Sequence, residues 1–180
     1  MARPSRNRNL PPLDRAALDG MAIRYVGRFA TTRARLAAYL QRKITERGWA
    51  GEGAPPVEAL VERMAAAGYV DDRAFAAART ASLARRGYGA RRQADALRAA
   101  GVTREDAAAL RDAEEDAEGA ALAAARAFAR RKRLGPWGGP ADPDKARRQL
   151  AAMLRAGHDF AVARLVLGGS ALDCDDEVAD

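Results

Sequence analysis

Positive charge in pairs and runs is the first chemically suggestive feature of this chain. Arg85-Arg86 and Arg91-Arg92 flank the turn Gly87-Tyr88-Gly89, Arg130, Arg131, Lys132 and Arg133 are consecutive, and Lys145, Arg147 and Arg148 follow one loop later. A guanidinium group binds a phosphate or carboxylate through two parallel hydrogen bonds, which an ammonium cannot do. Arginine at a helix N-terminus also works against the helix dipole, at a cost of a few tenths of a kcal/mol. Partner binding is the reason the sequence suggests for placing Arg91, Arg92, Arg147 and Arg148 at helix starts. These residues, with the neighbouring basic runs, form a candidate arginine-lined edge.

Bond-making chemistry has far less support. His158 is the sole histidine, and no nearby Ser or Cys offers it a nucleophile to activate. A structural or solvent-exposed role is expected for it. His158 and Cys174 lack the spacing of a zinc site. There is no Walker-type phosphate loop and no Gly-x-Gly-x-x-Gly after a strand. Asp71-Asp72 could be read as metal carboxylates, but a fresh helical stripe begins directly after it, so N-capping explains the pair better. No catalytic residue, no cofactor and no metal is expected.

The 180 residues carry 31 Lys and Arg against 24 Asp and Glu, a net charge of +7 that is unevenly spread. Residues 1–50 hold +8, 111–119 hold −4, 120–168 hold +7 and the last twelve −5. Basic stretches separated by an acidic one favour a polyanion or an acidic protein partner. The single cysteine excludes an intramolecular disulfide and suits a reducing cytoplasm. No apolar run approaches the ~18 residues of a membrane span, and the Arg-rich start lacks the apolar segment of a secretory signal.

The elements that must position the basic residues are helices. Ala dominates the apolar residues, aromatics are only 6%, and strand-like runs are nearly absent. Asp14 caps a helix directed towards Phe29 with the stripe Leu18, Met21, Ala22, Tyr25, Val26 and Phe29. Thr31 or Thr32 caps a second helix with Leu36, Leu40 and Ile44 inside, closed by Gly48, with Trp49 folding back onto its end. Pro56 starts a third, bearing Val57, Leu60, Val61 and Met64. Asp71 or Asp72 then caps a helix carrying Phe75, Ala78 and Leu83, and a short helix runs from Ala90 to Ala100. Thr103 to Asp106 forms a capping box, and 112–118 reads as a frayed junction. A third set comprises a helix over 120–133, a Gly/Pro loop over 135–143, a helix with Leu150, Met153 and Leu154 inside, and a short helix bearing Phe160, Leu165 and Val166.

A repeat orders these elements. Residues 90–101, ARRQADALRAAG, align without gaps on 146–157, ARRQLAAMLRAG, at an offset of 56. A shift of 57 places Arg35 on Arg92 and Leu40 on Leu97. The expected architecture is therefore all-α: a tandem array of three three-helix repeats forming a curved, elongated molecule. Its parts would be a flexible basic arm (1–12), repeats at 13–70, 71–118 and 119–168, and an acidic disordered tail (169–180).

The run GYVDDRAF at 68–75 supplies a motif of Gly68, Tyr69, Asp71, Asp72 and Phe75. With the basic turn around Gly87 and Gly89, and the short helix bearing Leu97 and Gly101, it resembles the RecX family of RecA regulators. The resemblance covers about 20–168 and is most specific over 57–110. It implies a non-enzymatic protein of three-helix repeats lying in the groove of the RecA filament on single-stranded DNA. Such a protein limits filament growth and depresses ATP hydrolysis, strand exchange and the repressor self-cleavage that underlies the SOS response. A monomeric cytoplasmic regulator of DNA recombination and repair, free of membrane, is the expectation. A helical regulator that binds single- or double-stranded DNA directly is the alternative.

Overall fold

In a computed structural model of the protein, residues 10–112 and 115–168 are described. Every regular element among them is helical. In chain order these are α1 Arg15–Val26, α2 Arg33–Arg47, α3 Val57–Ala66, α4 Asp72–Arg85, α5 Ala90–Arg98, α6 Arg104–Asp112, α7 Ala117–Lys132, a 3-10 turn Gly135–Trp137, α8 Pro143–Arg155 and α9 Phe160–Leu167. The fold is all-α, as composition and periodicity indicate. Among the described residues, no helix is long and apolar enough to cross a membrane. Positions 1–9 of the basic arm, and the acidic tail 169–180 with Cys174, lie outside the described residues.

The chain divides into two compact units, one of residues 10–75 with 100–102 and the other of 76–99 with 103–168. The first is built on α1, α2 and α3. Leu18 and Ala22 meet Leu36, Leu40 and Ile44 and the stripe Val57, Leu60, Val61 and Met64, with Leu13 and Val70 completing the core. Asp14 accepts from Ala17 N at 2.7 Å and Thr32 from Arg35 N at 3.2 Å, which fixes where α1 and α2 begin. Residues 11–13 are tied to the end of α2: Arg47 Nη2 donates to the Pro11 carbonyl at 2.6 Å, and Leu13 N to that of Gly48 at 2.9 Å. Trp49 packs against the same core. Phe29 departs from expectation. The helix stops at Val26, so Phe29 leaves the buried stripe and is 52% exposed.

In the second unit α7, α8 and α9 enclose Ala125, Phe128, Ala129, Met153, Ala156, Ala163 and Val166. Asp116 accepts from Gly119 N, Asp142 from Lys145 N and Asp159 from Ala161 N, so each of these helices starts at a carboxylate. The Asp116 cap starts α7 three residues before the expected 120. Thr103 and Asp106 form the capping box, with Asp106 N donating to Thr103 Oγ1 at 3.1 Å. The 135–143 break is tethered. Gln149 Oε1 accepts from Gly135 N at 2.9 Å, and Lys145 Nζ donates to the Gly138 and Pro140 carbonyls at 3.1 and 2.8 Å. Of the large apolar residues expected on the last helix, Val166 is buried together with Ala163, while Phe160 and Leu165 are exposed. In α4 the buried alanine is Ala76, and Ala78 is exposed.

The aligned segments make the same kind of contact. Within the first unit, the Ala100 carbonyl accepts from Thr32 Oγ1 at 2.5 Å, and a Cβ on Gly101 would overlap Ala34. Within the second, the Ala156 carbonyl accepts from Gly89 N at 3.0 Å, and a Cβ on Gly157 would overlap the Arg92 backbone. The offsets of 56 and 57 relate Ala100 to Ala156 and Thr32 to Gly89. An Ala-Gly helix end thus receives a helix start twice. Gly101 and Gly157, with φ of +76° and +90°, supply the left-handed conformation and the absent side chain this approach needs.

Candidate functional site

The family-like motif is a joint. Gly68 ends α3, and Val70 is buried beside it. Asp71 accepts from Ala74 N at 2.9 Å and so caps α4, whereas Asp72 accepts from Arg33 N at 2.9 Å and so serves the first turn of α2. The two adjacent acids satisfy two different helix starts, where negative charge also suits the dipole. Phe75 is half-buried, with the Arg35 guanidinium 5.2 Å from its ring centroid. Tyr69 is the large apolar member of the motif that is exposed.

The basic residues of the second unit fall into two groups. Around the α4–α5 turn, Gly87 packs so closely on α7 that a Cβ would lie 2.6 Å from Phe128 N. That approach brings the end of α4 to the last turns of α7. Arg131 Nη1 donates to the Arg86 carbonyl, and the Arg86 and Arg131 guanidiniums stand 5.3 and 5.9 Å from the Tyr88 ring centroid. Arg85, Arg91, Arg92, Arg130, Lys132 and Arg133 are exposed, with no ion-pair partner among the described residues. Arg133 closes α7 with φ of +55°, a conformation that costs a side-chain-bearing residue ~1–2 kcal/mol.

The second group lies on the first turns of α8. Here Lys145 is turned inward onto loop carbonyls. Arg147 is paired with Asp144 at 2.6 Å, which holds that carboxyl below its ordinary pKa, and Arg148 is exposed. Lys145 is a clamp for the loop that follows the 3-10 turn rather than an outward cation. Arg91 and Arg92 also have a structural setting that sequence could not give. Arg91 N donates to the Gly157 carbonyl at 3.2 Å, so the end of α8, with its partial negative charge, lies against the start of α5 and offsets the dipole penalty.

His158 is buried 71 residues from its partner. Its Nε2 is 3.1 Å from the Gly87 carbonyl oxygen, which can only accept, so the proton sits on Nε2. The ring lies 5.6 Å from that of Phe128. Burial pushes its pKa below the ordinary value, against a smaller opposing effect of the Gly87 bond. The histidine fastens the Gly87 turn to the core.

Sequence reasoning missed one group. Arg24, Tyr25, Arg28, Phe29, Tyr39 and Arg42 line an open cleft on the first unit. The signal was the i, i+4 spacing of Arg24 with Arg28 and Tyr25 with Phe29, but those aromatics read equally well as core.

No family model matches the chain. Among curated proteins, the regulatory protein RecX of Myxococcus xanthus is 35% identical over 171 residues, covering 91% of this chain and 89% of that protein. The match spans both units and includes the joint at 68–75 and the Gly87–Gly89 turn. With that identity over nearly the full length, the chain belongs to the RecX family of regulatory proteins.

Proposed function

We propose that this protein binds the RecA filament on single-stranded DNA and inhibits its recombinase, ATPase and coprotease activities by occupancy, making and breaking no bond. It would act as a cytoplasmic monomer regulating DNA recombination, repair and the SOS response. The observation that carries this reading is the RecX relationship over 91% of the chain. Support from the site is electrostatic. Uncompensated guanidiniums gather around the Tyr88 turn, where the Gly87 and Gly89 contacts hold the α4 and α5 ends in place, so little is lost in ordering them on binding. Of the basic edge expected at Arg85, Arg86, Arg91, Arg92, Arg130, Arg131, Lys132, Arg133, Lys145, Arg147 and Arg148, the α4–α5–α7 portion suits partner binding best. The repeated Ala-Gly contact supports a tandem array in which successive repeats are joined by one recurring seam.

Co-sedimentation of the full chain with RecA on single-stranded DNA tests the reading. The chain should pellet with nucleotide-bound filaments, and Arg85→Glu with Arg92→Glu and Arg130→Glu should weaken pelleting while helicity is retained. A chain that stays in the supernatant beside intact filaments overturns it.

A further inference from the structure

The cleft between α1 and α2 is lined by aromatic rings and arginines alone. Tyr25 and Tyr39 stack at 4.2 Å between centroids and 17° between planes, and Phe29 leans on Tyr25 at 5.3 Å. Arg28 stands 5.8 Å from the Phe29 centroid and Arg42 5.8 Å from that of Tyr39. With Arg24 these residues line about 490 Å³ of open space and include no carboxylate. Arg24 and Arg28 have no ion-pair partner among the described residues. Glu46 stands 3.7 Å from Arg42 Nε but is held closer by Lys43, at 2.6 Å. Such a loose exposed pair is worth little and is readily exchanged.

Three aromatic rings flanked by three guanidiniums are more than core packing requires. Tyr25 and Tyr39 are half-buried and serve the core, but Phe29 lies beyond the end of α1 with half its surface in water. The carboxylates of an acidic peptide would satisfy the charges, but its backbone and charged groups present no regularly spaced flat face to the ring. A nucleic-acid duplex would satisfy the charges yet keep its base faces inside. A single strand offers both phosphates for the arginines and exposed π-faces for Phe29. We propose that this cleft is a single-stranded nucleic-acid site, in which an unpaired base stacks on Phe29 beside the Tyr25–Tyr39 pair while Arg24, Arg28 and Arg42 hold the flanking phosphates. The site requires no recombinase, so naked strand is the probe, and its failure would leave filament binding untouched.

The experiment is fluorescence anisotropy of the full chain with a labelled oligo-dT and with an abasic deoxyribose-phosphate strand of equal length. Oligo-dT should bind about tenfold more tightly than the abasic strand, the scale of one base–aromatic stack. Phe29→Ala should remove that preference and leave abasic binding unchanged. Because Phe29 is outside α1 and half-exposed, the variant should keep wild-type circular dichroism. As a second arm, Arg24→Ala with Arg28→Ala and Arg42→Ala should reduce the slope of log affinity against log salt by about 2, three phosphate contacts on a single strand. Equal binding of the two strands, an unaltered preference in Phe29→Ala, or competition by polyglutamate as effective as by oligo-dT would overturn the proposal, the last in favour of an acidic protein partner.

Discussion

At the scale of single residues, His158 is fixed in its neutral form. Its folded pKa is depressed below the unfolded value, so the stability it contributes is complete above about pH 7 and is lost as pH falls below the ordinary 6.5 towards the folded value. Since the chain has one histidine, a decline in the urea midpoint between about pH 7 and pH 5.5, above the carboxylate range, is assignable to it. His158→Gln, which can still donate to Gly87, should flatten that decline; an undiminished slope would move the effect elsewhere. Two adjacent threonines make a second residue-scale contrast. Thr31 Oγ1 is buried without a hydrogen-bond partner among the described residues, whereas Thr32 Oγ1 both caps α2 and donates to Ala100. Thr31→Val should therefore be neutral or stabilise by up to about 1 kcal/mol, and Thr32→Val should cost about 1–3 kcal/mol. Chemical denaturation of the two variants decides it, and equal losses would refute the assignment.

Elements were legible in the sequence where two signals agreed. At α2, the Thr cap, the Leu36, Leu40 and Ile44 stripe and the Gly48 stop all pointed the same way, and the helix is there. α9 was legible as a helix but not in its orientation. FAVARLVL is apolar apart from Arg164, so nothing in its periodicity separates the exposed Phe160 and Leu165 from the buried Ala163 and Val166. The candidate site followed the same rule. The Gly87-Tyr88-Gly89 turn was recognisable as a break with basic flanks, but its docking on Phe128 and His158 joins residues dozens of positions apart, and local pattern carries no such information. Lys145 looked like one more surface cation because its carbonyl partners belong to an irregular segment. The Ala-Gly seam gives an element-scale prediction. Gly101→Ala meets both a left-handed φ and the Ala34 methyl, so it should destabilise by about 2–4 kcal/mol. Adding Ala34→Gly removes the overlap but not the torsional cost, and should recover part of that loss. Strictly additive losses in thermal unfolding would show that the two residues do not meet.

For the molecule as a whole, the decisive property is positive charge that neither unit neutralises. The net charge is +7 even though the last twelve residues contribute −5. Exposed cations of this kind are screened over ~8 Å at physiological ionic strength, so binding to an acidic polymer should weaken steeply with salt. The proposed filament regulation would need nothing more reactive than this, with the guanidiniums held in place by helix ends, as at the Tyr88 turn. The most direct measurement is the rate of ATP hydrolysis by RecA on single-stranded DNA as this chain is added. Substoichiometric protein should slow hydrolysis, and the Arg85→Glu, Arg92→Glu, Arg130→Glu variant should slow it much less. Hydrolysis that continues undiminished at equimolar wild-type protein contradicts filament inhibition.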